Sequence, residues 1–328
     1  MRPSNSAWRV GACLALVACA AFAFAEPAWA GSAPAAASLK VTAPLAVRVK
    51  AAFTMHGTAS TAVSAGETLT VSMERLGRDW SVVTTSAITV GTKHQFSAKL
   101  SAPQRGRWRI VVGLPPSTAH VAATSTVTFK VVGAKVIALT FDDGPWPTST
   151  AGIVSALSKG YVEATFFELG SQIGGRAALS RLVLANDNVI GIHSWNHALM
   201  TSRSASVNSA DLKRCQSALF KATSYKARWF RPPYGSTNGT LKKTARSLGL
   251  GQVLWTVDTL DWKYRVKSSV ISRALAGAKD GGVILMHDGG GPRKATVAAV
   301  PVIIAKLRAK GFDFVTLDQL DALGYRVP

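Results

Sequence analysis

The sequence has few cysteines, few acidic residues and no apolar run as long as a typical membrane span. Its 328 residues include three cysteines, of which Cys13 and Cys19 lie within the first 30 residues. If that segment is removed, Cys215 is alone and an internal disulfide is excluded; we expect this cysteine to be a small buried apolar residue. Neither a glycine-rich nucleotide fingerprint nor a phosphate loop occurs, which argues against a nucleotide-binding protein.

Residues 1–30 have the composition of an export signal. Arg2 and Arg9 supply the positive charge before an apolar stretch, and the segment ends in the small-x-small pattern Ala-Trp-Ala. We therefore expect signal cleavage after Ala30, with Ala25 as the second candidate position. The mature protein would then be secreted, as an extracellular or cell-wall-associated protein.

Two alternatives would keep the protein at a membrane. The apolar stretch, residues 10–25, is about 16 residues long, shorter than the roughly 20 residues of a typical membrane span. An uncleaved anchor is nevertheless one alternative. The other is lipidation at Cys19 within the lipobox-like sequence Leu-Val-Ala-Cys, although the residues that follow stay apolar through Ala25.

The shortage of acidic residues gives the chain a formal net charge of +21. Residues 31–133 hold 11 basic and 3 acidic side chains, and residues 134–328 hold 25 and 13. Because the excess is spread over both parts, we predict an anionic environment, such as a cell-wall polymer or a membrane surface. A basic surface that serves only solubility is the alternative. No nucleic-acid-binding motif occurs, so we predict no nucleic-acid partner, and nothing implies an obligate protein partner.

The first part of the mature chain is rich in strand patterns. Residues 31–38 form an Ala/Pro/Ser linker, and residues 39–133 follow. Apolar residues alternate with others in residues 69–73, 108–112 and 127–131, which is the period of a half-buried strand. Turn sequences separate these runs, and we find no convincing helical period. We predict roughly six or seven short strands in an immunoglobulin-like β-sandwich.

Residues 39–133, called the front module below, carry no recognisable catalytic constellation. His56, His94 and His120 are scattered, without carboxylates or cysteines at the spacing of a metal site. We expect each of them to be an ordinary strand or loop residue. As a hypothesis, the module spaces the following domain from the wall or binds wall polymer weakly.

Residues 134–328 alternate between strand-like and helical patterns. We predict seven strands, at residues 136–141, 165–168, 189–192, 228–230, 253–257, 283–286 and 312–316. Six helices are predicted between them, at residues 151–159, 177–185, 210–223, 241–248, 268–278 and 297–310. This alternation implies a mostly parallel α/β sheet and favours a closed or nearly closed (β/α) barrel. The helix residues expected to face the core include Leu157, Leu182, Leu212, Leu219 and Ile304.

Two adjacent carboxylates, Asp142 and Asp143, follow the apolar run of residues 136–139. Like charges side by side raise each other's pKa unless a cation or strong donors compensate. The Gly-Pro pair at residues 144–145 then turns the chain and leaves both carboxylates at the carboxyl edge of the sheet, where α/β folds bind ligands. The alternative is a strand-ending Asx turn.

Three histidines of this domain follow predicted strands. His193 and His197 come after residues 189–192, and His287 comes after residues 283–286. If the turn between His193 and His197 is helical, both imidazoles lie on one side, which is bidentate metal spacing. Two imidazoles and one carboxylate form the ligand set of an open catalytic Zn²⁺ site.

Two further strand ends carry polar residues. Arg231 follows residues 228–230 and offers a planar cation to a carboxylate; the two prolines after it fix the backbone and can aim the Tyr234 N–H outward. A merely stiff loop is the alternative. Asp261 and Trp262 follow residues 253–257 and supply a carboxylate and an aromatic wall.

With these residues in place, the chain resembles the polysaccharide deacetylases, the NodB-homology group also called carbohydrate esterase family four. The five motifs of that family occur in order, at residues 140–145, 193–197, 231–235, 258–262 and 285–287. They span essentially all of residues 134–328 and none of the front module. The resemblance implies that residues 134–328 are a catalytic domain with a distorted (β/α) barrel.

The resemblance also implies a metal site and a base. The ligands of a divalent metal would be Asp143, His193 and His197. The metal would be Zn²⁺ in the first place, with Co²⁺, Ni²⁺ or Mn²⁺ as alternatives. Asp142 would be the general base, held in place by Arg231.

The remaining motif residues would complete the site. The backbone N–H of Tyr234, together with the metal, would form the oxyanion hole. His287 would be the general acid, with Asp261 as the partner that tunes it. Trp262 and Leu285 would be the walls of the pocket for the acetyl methyl group.

We therefore expect an exported, metal-dependent N-deacetylase that releases acetate from N-acetylglucosamine residues of a wall polysaccharide, first of all peptidoglycan. Chitin oligomers, poly-N-acetylglucosamine and O-acetylated xylan are alternative substrates, and no residue of the sequence separates them. A non-catalytic wall-binding protein is the third hypothesis. Loss of Asp142 or His287 would favour it, and both are present.

Overall fold

A computed structural model describes residues 33–328. The predicted signal segment, residues 1–30, lies outside the described residues. Two sheets form the front module, and one parallel sheet with helices forms the rest. No helix within residues 33–328 has both the length and the apolar character needed to cross a membrane.

The front module contains eight strands rather than six or seven. They are β1 (Leu39–Thr42), β2 (Ala46–Arg48), β3 (Ala52–Ala59), β4 (Thr68–Leu76), β5 (Trp80–Thr89), β6 (Gln95–Ser101), β7 (Gly106–Leu114) and β8 (Ala123–Val132). One sheet has the order β1-β3-β6 and the other has the order β2-β8-β7-β4-β5. Alternate residues of β7, namely Trp108, Ile110 and Val112, are fully buried, as the period of two predicts.

The second part has eight strands in one sheet. They are β9 (Lys135–Gly144), β10 (Thr165–Glu168), β11 (Val189–Ile192), β12 (Trp229–Phe230), β13 (Gly251–Gln252), β14 (Val257–Asp258), β15 (Gly282–His287) and β16 (Phe312–Phe314). The order is β13-β12-β11-β10-β9-β15-β14, with β16 beside β9, and every pair is parallel. The predicted parallel α/β sheet is therefore confirmed.

The sheet curls into a half-barrel rather than a closed ring. Within the described part of the chain, the two outer strands β13 and β14 do not pair with each other. The prediction of a single strand at residues 253–257 is wrong, because β13 ends at Gln252 and β14 begins only at Val257. Val253 N and Thr256 N still donate to carbonyls of β12 and β15. Between them, Leu254 N donates to the Pro328 carbonyl (2.6 Å) and Leu254 O accepts from Arg231 Nη2 (2.7 Å), so the strand is interrupted at this point.

Helices cover the outside of the half-barrel. They are α1 (Ser149–Lys159), α2 (Gly170–Ile173), α3 (Ala177–Ala185), α4 (Ala205–Thr223), α5 (Gly239–Ser247), α6 (Asp261–Tyr264), α7 (Lys267–Ala276), α8 (Lys294–Ala309) and α9 (Leu317–Ala322). Three-residue 3₁₀ turns lie at Gly174–Arg176, Met200–Ser202 and Pro233–Gly235. The six predicted helices are present, α3 with the predicted bounds and the other five with shifted ends. The short helices α2, α6 and α9 were not predicted.

Two apolar cores lie on the two faces of the sheet. Ile137, Leu139 and Phe141 of β9 belong to the core under the helices. The alternate residues Val136 and Ala138 belong to the core inside the half-barrel. The same alternation directs Thr140 and Asp142 toward the interior, above that inner core.

Four of the five predicted core leucines and isoleucines are buried, as is Cys215. Leu182 is the exception, because its side chain is 36% exposed. The buried face of α3 is set by Ser180 and Val183, which are three residues apart and so share one side of the helix. Leu182 is about 100° away from Val183 around the helix and points outward.

The front module docks on the amino end of the half-barrel. Arg107 forms two hydrogen bonds with Asp187, at 2.5 and 2.9 Å, and Lys130 pairs with Glu163 at 3.2 Å. Asp187 and Glu163 both lie just before strands of the parallel sheet. The module therefore leaves the opposite, carboxyl edge of the sheet uncovered by these contacts.

Candidate active site

A buried aspartate–arginine pair lies at the carboxyl edge of the sheet. Arg231 is fully buried, and its Nη1 donates to Asp142 Oδ1 (2.8 Å) and to Thr140 Oγ1 (2.8 Å). Its Nη2 donates to the carbonyl of Leu254 (2.7 Å), and its guanidinium lies 4.2 Å from the centre of the Phe167 ring. These contacts fix the guanidinium, which in turn fixes one oxygen of Asp142.

The environment of Asp142 makes it a stronger base than a carboxylate in water. Burial raises the pKa of Asp142, and the positive charge of Arg231 opposes this rise. Its second oxygen, Oδ2, is 3.7 Å from His193 Nε2. A carboxylate whose pKa is raised toward the working pH is suited to accept a proton.

Asp143, His193 and His197 bring three metal-binding atoms together. Asp143 Oδ1 lies 3.5 Å from His193 Nε2 and 3.4 Å from His197 Nε2, and the three ligand atoms are within 4.8 Å of one another. Asp143 Oδ1 is buried without a hydrogen-bond partner in the described residues. A buried carboxylate oxygen without a donor is costly unless a cation approaches it.

The protonation of His193 also fits a metal ligand. Its Nδ1 lies 2.7 Å from the Arg231 carbonyl, so Nδ1 must carry the proton and Nε2 presents a lone pair to Asp143. Burial lowers the pKa of His193 to about 3, which keeps the ring neutral. The two imidazoles and one carboxylate therefore fit a divalent metal.

The turn that carries the two histidines is not helical, which corrects the geometry assumed for the pair. Ser194 and His197 have φ angles of 68° and 61°, in the left-handed region that non-glycine residues rarely adopt. Ser194 Oγ accepts from His197 N (3.0 Å), and Asp211 Oδ1 accepts from Trp195 N (2.7 Å). Side-chain acceptors thus hold a strained turn of the kind common at functional sites.

The Asp261 carboxylate holds His287 and accepts three hydrogen bonds. Asp261 Oδ1 accepts from His287 Nδ1 (2.7 Å), while Oδ2 accepts from His287 N (2.9 Å) and from Thr296 Oγ1 (2.6 Å). Asp261 and Thr296 are each 1% exposed. Because Nδ1 donates to Asp261, His287 is free to use Nε2 toward the cavity.

This pairing decides the charge of His287. Burial by itself lowers the pKa of His287, but the hydrogen bond and the negative charge of Asp261 outweigh it, so the pKa is raised overall. Burial likewise favours neutral Asp261, yet the hydrogen bond and charge of His287 lower the pKa of Asp261 overall. At neutral pH the pair is thus biased toward imidazolium and carboxylate, which suits a proton donor.

One cavity of about 360 Å³ joins these groups. Its lining includes Tyr234, Trp262 and Leu285, together with the carboxylates and histidines described above. The Tyr234 ring meets the His197 ring edge-on at 4.5 Å. Arg231 and Asp261 lie behind this lining, against Asp142 and His287, so the structure brings all ten predicted site residues together.

Three residues at the site were not singled out from the sequence. Trp255 lines the cavity and lies under Gly235, where an added Cβ would be 2.7 Å from the indole. Thr140 accepts a hydrogen bond from Nη1 of Arg231, which also bonds to Asp142. Thr296 donates a hydrogen bond to Asp261. Thr140 could have been found from the alternation of β9, since it lies two residues before Asp142 on the same face. Thr296 is 35 residues beyond Asp261 and carries no local signal.

The arrangement matches a known class of protein. The family model for polysaccharide deacetylase matches residues 130–253, which include three of the five motifs. The peptidoglycan-N-acetylglucosamine deacetylase of Bacillus cereus is 35% identical over 206 residues, covering 60% of this chain and 93% of that protein. The chain therefore belongs to the polysaccharide deacetylase family.

Two further comparisons match a similar share of this chain. The peptidoglycan-N-acetylglucosamine deacetylase PgdA of Listeria monocytogenes is 41% identical over 186 residues, or 57% of this chain, but the match spans only 39% of that protein. The solved structure of the peptidoglycan deacetylase PdaC from Bacillus subtilis is 37% identical, with a TM-score of 0.53, covering 57% of this chain and 90% of that one.

Proposed function

We propose that this protein is a metal-dependent deacetylase that hydrolyses N-acetyl groups of N-acetylglucosamine residues in a wall polysaccharide, with peptidoglycan as the first candidate. The observation that carries the proposal is the single cavity in which a buried base, a three-ligand metal site and a proton-donating histidine meet. These three groups together suit amide hydrolysis, because water is a poor nucleophile and an amine is a poor leaving group.

Asp143, His193 and His197 would hold the metal, with Zn²⁺ first and Co²⁺, Ni²⁺ or Mn²⁺ as alternatives. When bound, such an ion supplies a Lewis acid that acidifies water and polarises the acetyl carbonyl. Two neutral imidazoles and one carboxylate are typical of catalytic sites that leave positions open. The unpartnered, buried Asp143 Oδ1 supports this assignment.

Asp142 would take the proton of the attacking water on the oxygen that Arg231 does not hold. Arg231 binds Oδ1 at 2.8 Å, which leaves Oδ2 for the incoming proton. Fixing the base in this way reduces the reorganisation needed during proton transfer. Arg231 would thus act as a positioning residue.

His287 would give a proton to the departing amine nitrogen. Its raised pKa favours the protonated ring, and Asp261 stabilises the imidazolium before the transfer. The Tyr234 N–H would donate to the oxygen of the tetrahedral intermediate, a contribution typically worth about 3 kcal/mol. Trp262 and Leu285 would hold the acetyl methyl group.

Peptidoglycan is preferred because an exported, strongly basic protein would work beside an anionic wall. Chitin oligomers, poly-N-acetylglucosamine and O-acetylated xylan are the other candidates. Acetate release from peptidoglycan, chitin oligomers and acetylated xylan, measured in parallel, tests the choice. The highest kcat/KM on peptidoglycan glycans supports it, and preference for acetylated xylan overturns the N-deacetylase proposal. No release from any of them would leave a non-catalytic wall-binding protein.

We also propose that the protein is exported with cleavage after Ala30, and that the front module has an immunoglobulin-like arrangement. The charged n-region and small-x-small pattern support the first statement, and the two facing β-sheets support the second. Sequencing the mature amino terminus tests export: a start at Gly31 is expected. A start at a lipidated Cys19, or retention of Arg2, would contradict it.

A further inference from the structure

A second cleft lies on the flank of the half-barrel, away from the catalytic cavity. Its volume is about 760 Å³, and it is bounded by α5, the outer strand β13 and residues 326–328. Residues 326–328 run along the open side of the sheet because Leu254 N donates to the Pro328 carbonyl (2.6 Å). The cleft and the catalytic cavity share no lining residue.

Three cations converge on this cleft, which we call the basic cleft. Lys242 and Arg246 are four residues apart on α5 and therefore share one side of the helix. Arg326 lines the same cleft from the stretch of residues 326–328. All three are exposed. The residues that line the cleft include no Asp or Glu side chain.

The three cations also lack acidic partners. Within residues 33–328 none of them forms a salt bridge. Arg228, by contrast, lies on the same domain and pairs with Asp318 at 3.2 Å. Like charges four residues apart on a helix repel each other and destabilise it. An anionic ligand between them would remove that repulsion.

We propose that the basic cleft binds the phosphodiester groups of an anionic cell-wall polymer. Arginine offers a fork of donors that matches phosphate geometry, and lysine adds a point charge. The volume is large enough for a segment of chain rather than one ion, and exposed cations suit a solvated, flexible polyanion. The proposal goes beyond the deacetylase activity, because it concerns where the protein is held and not what it hydrolyses.

Binding at this cleft would hold the protein on the wall while the catalytic cavity stays free. The two sites can be occupied together because their linings are separate. Holding a catalytic site near its substrate raises the effective substrate concentration. Turnover of insoluble wall that carries the polymer would rise, and turnover of soluble oligomers would not change.

The test is a triple variant of the full mature chain with Lys242→Gln, Arg246→Gln and Arg326→Gln. Its affinity for purified poly(glycerol phosphate) is measured by calorimetry at low salt. A basic residue beside an anionic lipid surface contributes roughly fivefold to binding affinity. For three lost charges we therefore expect the affinity to fall roughly 100-fold. The salt dependence of binding should also become shallower.

A matched control removes the same charge from another exposed part of the domain, on α1 and at the end of α8. It carries three lysine-to-glutamine substitutions, at Lys159, Lys306 and Lys310. We expect this control to bind poly(glycerol phosphate) within about threefold of the unmodified protein. Equal weakening of both triple variants would overturn the proposal, since binding would then follow net charge and not the cleft.

Two further readouts complete the test. Vesicles of phosphatidylglycerol are titrated in parallel, and binding to vesicles without binding to the polymer would overturn the wall-polymer assignment. Acetate release from a soluble chitin oligomer should be equal in all three proteins. A fall confined to the basic-cleft variant would overturn the proposal by making the cleft part of the catalytic site. Polymer binding is measured without turnover, so it is decided separately from the proposed deacetylase activity.

Discussion

Replacement of Asp261 by asparagine isolates the partner of the proposed general acid. The carboxylate accepts three hydrogen bonds: two from His287, at 2.7 and 2.9 Å, and one from Thr296, at 2.6 Å. An asparagine amide can place its oxygen at only one of the two carboxylate positions. Its NH₂ group must then face a donor, or force His287 into its other neutral tautomer.

The magnitude follows from the lost ionic hydrogen bond. Such a bond contributes about 1.5–3 kcal/mol, and 1.4 kcal/mol is tenfold in rate, so we expect kcat to fall roughly 10- to 100-fold. The sign of the pH effect follows from the same loss. Asp261 raises the pKa of His287, so without it the imidazolium loses its proton at lower pH. The alkaline limb of the profile should therefore move to lower pH.

The assay measures kcat and kcat/KM for acetate release from a soluble chitin oligomer between pH 5 and 10. Metal content and thermal stability are measured alongside, so that a lost site or a lost fold is recognised. Asp187→Asn makes the same chemical change at the opposite end of the sheet and should leave the profile unchanged. An alkaline limb that does not move in Asp261→Asn would refute the assignment of His287 and Asp261 as an acid pair.

Three other substitutions test neighbouring parts of the site. Thr296→Val should lower kcat roughly three- to tenfold through loss of about 1 kcal/mol of hydrogen bonding, and Thr296→Ser should restore it; failure of serine to rescue would mean that the threonine only fills space. His193→Ala should lose bound metal and activity together, as read by elemental analysis, whereas His56→Ala should keep both; metal retention in His193→Ala would contradict the ligand set. Burial raises the pKa of Glu168 from 4.5 to about 8. Between these two pH values the folded protein keeps a proton on Glu168 that the unfolded chain loses. The free energy of unfolding should therefore fall as pH rises through this range. Glu168→Gln should remove that slope and stabilise the protein by up to about 4 kcal/mol at pH 8, and urea unfolding that is equally pH-dependent in both proteins would contradict it.

The alternation of β9 made the first part of the site predictable. Side chains of a strand alternate between its two faces. Asp142 is therefore on the face opposite to Ile137, Leu139 and Phe141. The ends of parallel strands meet at one edge, which is why residues far apart in sequence were expected to converge. The structure brings them together in one cavity.

Contacts between distant segments explain what the sequence could not predict. The turn from His193 to His197 is non-helical because Ser194 and Asp211 supply side-chain acceptors to its backbone. The predicted strand at residues 253–257 breaks because Leu254 pairs with Pro328 and Arg231. No local pattern reports a partner that lies tens of residues away.

The contact between the front module and the half-barrel is another feature that could not be predicted from the sequence. The ion pair between Arg107 and Asp187 joins residues 80 positions apart. Each residue by itself reads as an ordinary surface charge. Only the folded structure shows that cations of the front module meet carboxylates at the amino end of the half-barrel.

The most direct test of the account compares the unmodified protein with Asp142→Asn in acetate release from N-acetylglucosamine oligomers, before and after exhaustive metal removal. We expect release by the unmodified protein to stop after metal removal and to return with Zn²⁺. Asp142→Asn should keep its metal and release acetate at least roughly 100-fold more slowly, because the base is gone. Release that persists without metal, or near-normal release by Asp142→Asn, would contradict the account.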